Sequence, residues 1–98
     1  MDTARNSNDA STYVLPGQCD LTAAARIHAA LIEKMNEPVL LLDAGEVERC
    51  GTVVAQILVA ASREVSAAGG HMQVRNMGPG FRKCFADLGL SQDVTSWE

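Results

Sequence analysis

The amino-acid sequence predicts a single small α/β domain, with parallel strands joined by helical crossovers. Three observations carry this expectation. Short strand-like runs at 12–15, 39–42 and 71–75 alternate with three stretches of helical periodicity. Turn signals punctuate the alternation at Pro16-Gly17, Gly69-Gly70 and Gly78-Pro79-Gly80. The chain has 98 residues and shows neither an internal repeat nor a linker, which suits one domain with one modest core.

Residues 1–10 are polar and rich in Asn, Asp and Ser, and read as a frayed tail before a domain at 11–98. Thr12-Tyr13-Val14-Leu15 favours a strand, which Pro16-Gly17 closes. Asp20 stands where a helix N-cap belongs. Behind it Ala24, Ile27, Leu31 and Met35 recur on one face of a helix of about four turns. Asn36-Glu37-Pro38 ends that helix, because proline disfavours helical geometry in the residue before it. Val39-Leu40-Leu41-Leu42 is apolar without alternation, as in a strand buried on both faces, and Asp43 follows at its carboxyl end. A loop at 44–51 leads to a second helix with the core stripe Val54, Ile57, Leu58, Ala61 and Val65. Gly69-Gly70 supplies its stop. His71-Met72-Gln73-Val74-Arg75 alternates like a strand with one wet face. A third helix carries Phe81, Phe85 and Leu88 on one side. Pro79 stands near its start and Gly89 just past its end, with Leu90 placed to fold back as in a Schellman cap. Val94-Thr95-Ser96-Trp97 reads either as a short terminal strand or as a packed tail.

Charge and cysteine usage narrow the function classes. Lys and Arg total 8 against 12 Asp and Glu, a net charge of −4, and no basic stripe appears. Nucleic acid and anionic membrane surfaces are therefore not expected partners. Cys19, Cys50 and Cys84 are odd in number and far apart, without CxxC or Cys/His ligand spacing. Buried free thiols are expected, rather than a disulfide framework or a zinc site. The apolar runs are too short to span a bilayer, and the first residues lack a signal peptide's apolar stretch. A reducing cytoplasm is the expected compartment, with no direct membrane insertion.

Few residues suggest catalysis. His28 and His71 have no Ser or Cys partner at a meaningful spacing, so a polar-edge or satisfied histidine is expected at each. Asp43, Glu46 and Glu48 form a charged loop at a strand's carboxyl end, where open α/β sheets place ligands. With Asp20 they could support acid/base chemistry, but no nucleophile or metal partner accompanies them, so a solvated loop with capping carboxylates is the expected reading. Gly78-Pro79-Gly80 precedes a helix but lacks the lysine of a phosphate loop. No enzyme, metal or cofactor is expected.

The second helix is more apolar than one buried face requires. Residues 53–61 read Val-Val-Ala-Gln-Ile-Leu-Val-Ala-Ala, eight of nine apolar, where about three or four per two turns suffice. Val53 and Ala60 fall on the side of Gln56, away from the core stripe, and Ala55 and Val59 also lie off it. Either the helix is buried on several sides, or its first turns dock a protein partner or a second copy as a homodimer. Docking would place Thr52, Val53, Gln56 and Ala60 at the contact. The Thr52 hydroxyl either caps the helix or stands as a switch position, where a phosphate's charge and bulk would disrupt an apolar interface.

An ordered set of segments resembles the STAS domains, the anti-sigma-factor-antagonist family. Leu15-Pro16-Gly17-Gln18-Cys19-Asp20-Leu21-Thr22 is similar to that family's opening segment. Leu40-Leu41-Leu42-Asp43-Ala44 resembles its strand ending in Asp. Val47-Glu48-Arg49-Cys50-Gly51-Thr52 resembles the approach to its second helix. Gln56 to Ala61, Ala68-Gly69-Gly70, Phe81-Arg82-Lys83 and Leu88-Gly89-Leu90 also fit, so the resemblance covers about residues 12 to 92. It implies a STAS-like fold, a mixed and mostly parallel sheet with helices packed on it. It also implies a non-catalytic signalling module whose partner is a kinase-type anti-sigma factor, a chemotaxis kinase or a transporter ATPase. In the sigma-factor branch, phosphorylation of a serine at the start of this helix releases the partner. Here Gly51 replaces the family's Asp and Val53 replaces that serine. Valine accepts no phosphate, which leaves Thr52 as the candidate phosphorylation site. The Thr also resembles the STAS component of the lipid-asymmetry ABC transporter, and the Gly-Thr form resembles STAS proteins of chemotaxis operons. The site set expected by this reading is Thr52, Val53, Gln56, Ala60, Asp20 and Asp43.

Overall fold

A computed structural model describes residues 12–98, and the stretch read as a tail at 1–10 lies outside them. The elements are β1 (Thr12–Val14), β2 (Gln18–Cys19), α1 (Leu21–Glu33), β3 (Val39–Asp43), β4 (Arg49–Cys50), α2 (Thr52–Ala67), β5 (His71–Arg75), α3 (Pro79–Asp87) and α4 (Ser91–Ser96). β3 is the centre of a three-stranded sheet ordered β1-β3-β5, and both of its pairings are parallel. Leu42 stands opposite Tyr13 on one side and Val74 on the other. Parallel neighbours need a crossover, and α1 and α2 supply them.

Local chemistry sets most boundaries. The Asp20 carboxylate accepts from the Ala23 amide at 3.2 Å, which caps α1. α1 closes at Glu33 rather than at Asn36, and the chain leaves it through turns in which the Met35 and Glu37 amides donate to the Ile32 and Lys34 carbonyls. Met35 therefore lies beyond the helix but still packs on the core. α2 and α3 end alike. Gly69 and Gly89 take positive φ, +91° and +75°, conformations that cost an L side chain dearly. The Gly70 amide donates to the Val65 carbonyl and the Leu90 amide to the Phe85 carbonyl, both at 2.8 Å. These are Schellman closures, and Leu90 packs back on the core as expected.

The core lies on one face of the sheet. Leu40, Leu42, Met72 and Val74 point into it, as do Ile27, Leu31, Val54, Leu58 and Val65 from the two crossover helices. β3 is not buried on both faces: the alternate residue Leu41 is half-buried and Val39 is exposed. The apolar run suits the helix-covered face and only partly closes the other.

Three further expectations change. The terminal segment is a short helix, α4, not a strand, although its packing holds: Val94 and Trp97 are buried. Leu88 is not in the α3 stripe but is an exposed C-cap, because the helix ends before its side chain turns inward. The two-residue strands β2 and β4 were not expected as strands at all. They pair in parallel as a separate ribbon, Gln18 with Arg49 and Cys19 with Cys50.

Candidate functional site

The ribbon of β2 and β4 places the start of α2. The Gly17 carbonyl accepts from the Glu48 and Arg49 amides at 2.8 and 3.1 Å, and the Gly51 amide donates to the Cys19 carbonyl at 2.8 Å. Gly51 is the N-cap of α2 and offers no side-chain acceptor. A Cβ on Gly51 would stand 4.0 Å from the Cα of Asp20, so the two helix starts meet here. Thr52 is the first residue inside α2 and is exposed. It does not cap the helix, since a capping hydroxyl must sit one position earlier to reach the free amides.

The apolar excess of α2 resolves into both arrangements that the sequence allowed. Ala55 and Val59, off the expected stripe, are buried with Val54, Leu58, Ala61 and Val65, because α2 packs on the sheet and against α1 and α3. Ile57, placed in the stripe, is only half-buried. Within 52–61 the residues left exposed are Thr52, Val53, Gln56 and Ala60, which share one face of the helix. Val53 is 42% exposed.

This face is a ridge between two clefts. Toward α1, an open groove of about 470 Å³ is lined by His28, Ile32, Met35, Val53, Ile57 and Glu64, among others. Toward α3, a shallower cleft of about 360 Å³ is lined by Val59, Arg63, Leu88 and Leu90. Gln56 and Ala60 line both. Ile32 and Leu88, 54% and 38% exposed, extend the apolar surface to either side of the ridge. Neither belongs to the site set expected from the sequence. Ile32 carried a usable signal: like Val53, it is a large apolar residue one position off its helix stripe. His28 is exposed on the groove wall and His71 opens its strand in solvent, in keeping with polar-edge histidines.

The carboxylates divide. Asp20 serves α1 from beside the start of α2. Asp43 is held elsewhere: its Oδ1 accepts from the Gly45 amide at 2.8 Å, and the Asn76 amide group donates to both carboxylate oxygens at 3.2 Å. Asn76 has φ +59°, one of the few non-glycine types that tolerate it. This clasp joins the carboxyl ends of β3 and β5. Glu48 accepts from Gln18 Nε2 at 3.4 Å across the ribbon. Among the described residues no group of three or more His, Cys, Asp or Glu could hold a metal ion. No described helix is long and apolar enough to cross a membrane.

The family model described as Mlab, STAS domain, matches residues 3–96. The chain belongs to the STAS domain family, whose members act as regulatory and binding modules. No curated protein and no solved structure matches it.

Proposed function

We propose that this STAS domain is a non-catalytic cytoplasmic signalling module that docks a protein partner on the exposed ridge at the start of α2. The observation that carries the reading is the ridge itself. Thr52, Val53, Gln56 and Ala60 face solvent together, with apolar clefts on both flanks. Such a surface suits side chains from a partner that straddles the helix, with small Ala60 allowing close approach. The partner class that fits the family's anti-sigma-antagonist branch is a kinase-type anti-sigma factor or a chemotaxis kinase. Thr52, exposed at a helix N-terminus, is then the switch position. A phosphate there is tolerated by the helix dipole yet places charge beside Val53.

A second reading has its own support. The matched family model carries the name Mlab, and the Thr at this position resembles the STAS component of the lipid-asymmetry ABC transporter. An accessory subunit would present the same ridge to a transporter ATPase.

The test is affinity capture from cytosol and membrane extract with wild type, Val53→Asp and Thr52→Glu, read by mass spectrometry. The expected result is an ATP-binding signalling kinase retained by wild type and lost from both variants. A transporter ATPase lost in the same way moves the chain to the second reading. Equal capture by all three proteins rejects the ridge as the docking site.

A further inference from the structure

The three cysteines, remote in sequence, converge where α3 crosses the β2–β4 ribbon. Cys19 and Cys50 are direct partners across the ribbon. α3 packs on β4, and a Cβ on Gly80, in the first turn of α3, would stand 3.5 Å from the Glu48 carbonyl oxygen. From that crossing Cys84 lies four helical residues on and Cys50 two strand residues on. Those steps advance the two chains by similar lengths, about 6 Å and about 6.6 Å. Cys84 thus comes to lie near Cys50 on the face of β4 that α3 covers. Both are half-buried, whereas Cys19 is fully enclosed.

The geometry points to Cys50 and Cys84 as an oxidisable pair that closes to a disulfide when the protein meets a hydroperoxide. The roles follow from the environment. Burial, and then the neighbouring Cys84, push the Cys50 thiol up, so Cys50 keeps its proton, which it donates to the Gly51 carbonyl oxygen at 3.9 Å. Cys84 is the attacking sulfur. It displaces water from hydrogen peroxide and becomes a sulfenic acid. The Cys50 sulfur then displaces the second water as the S–S bond forms. Two thiols lose two electrons and two protons, and one peroxide becomes two waters. Cys19, enclosed on β2, stays a bystander.

The bond would act on the docking helix. Cys50 directly precedes Gly51, the N-cap of α2, so a disulfide ties the entry of α2 to α3 and narrows the freedom of Thr52 and Val53. That consequence rests on the docking reading, but the disulfide does not.

The full-length chain would be treated with hydrogen peroxide, blocked with N-ethylmaleimide and digested with trypsin. Arg26, Arg49, Arg63 and Lys83 put the three cysteines on separate peptides, ending at 26, 63 and 98. The expected product joins the peptides 50–63 and 84–98, is lost on reduction, and forms equally in Cys19→Ala but not in Cys84→Ala. Cysteine sulfinic or sulfonic acids without that cross-link overturn the proposal, as do three fully alkylated thiols or a cross-link through Cys19. The readout needs no partner, so it stands apart from any failure of the docking test.

Discussion

The indole nitrogen of Trp97 donates to the Ser62 hydroxyl at 2.8 Å, which ties the last turn of the chain to the middle of α2. The same indole meets the Phe85 ring edge-on, centroids 5.3 Å apart at 88°, and the Trp97 carbonyl accepts from the Val74 amide at 2.9 Å. One residue therefore joins α2, α3 and β5. Trp97→Ala should lower unfolding free energy by about 3–5 kcal/mol, the range for deleting a buried aromatic side chain. Ser62→Ala should cost about 1–3 kcal/mol by leaving the indole N–H unsatisfied. Urea titration of both variants checks the order: an equal or larger loss for Ser62→Ala would contradict it.

Val53→Asp should leave the fold intact. Val53 is 42% exposed, and surface changes usually stay within about 0.5 kcal/mol. Partner capture should nevertheless fall sharply, because a carboxylate would be desolvated on docking. Ile32→Asp and Leu88→Asp divide the surface, one on the α1 side of the ridge and one on the α3 side. Whichever variant loses partner at unchanged thermal midpoint identifies the cleft in use.

Gly70→Ala should destabilise. A Cβ there would stand 2.8 Å from the Pro38 carbonyl oxygen and 2.9 Å from Val65 Cγ1. The first contact is backbone, and the His71 amide already donates to that oxygen at 2.9 Å. Relief requires moving β5 away from the entry to β3, with an overpacking cost of about 1–3 kcal/mol. Chemical denaturation measures it, and an unchanged midpoint would mean that this junction yields freely.

Under reducing conditions the fold should weaken in alkali. Burial, with smaller contributions from Asp20 and Cys84, raises the Cys19 thiol from its ordinary 9.0 to about 11. Between those values the unfolded chain releases a proton that the folded chain keeps. Stability is thus complete below 9.0 and lost as pH climbs toward about 11. Denaturation midpoints of wild type and Cys19→Ala across this window should show a shallower alkaline decline in the variant. Parallel declines would remove Cys19 as a cause.

The candidate site was half legible. Val53, Gln56 and Ala60 announce themselves by falling off the α2 stripe, and all three face solvent. Ala55 and Val59 fall off it equally, yet are buried, because α3 covers their side of the helix. Periodicity tells which residues leave a stripe. It does not tell whether another element waits there.

By itself the sequence determined what depends on near neighbours. The Asp20 cap, the stops at Gly69 and Gly89, and the alternation of strands with crossover helices each rest on chemistry within a few residues. Only the tertiary structure decided what depends on remote ones. β2 and β4 are too short to show a period and exist because Gly17 and Cys19 meet the 48–51 segment. α4 is a six-residue helix, held by the burial of Val94 and Trp97 rather than by its own propensity. The clefts on either side of Ala60 follow from how α1 and α3 flank α2. Those placements are set by packing, which no local pattern encodes.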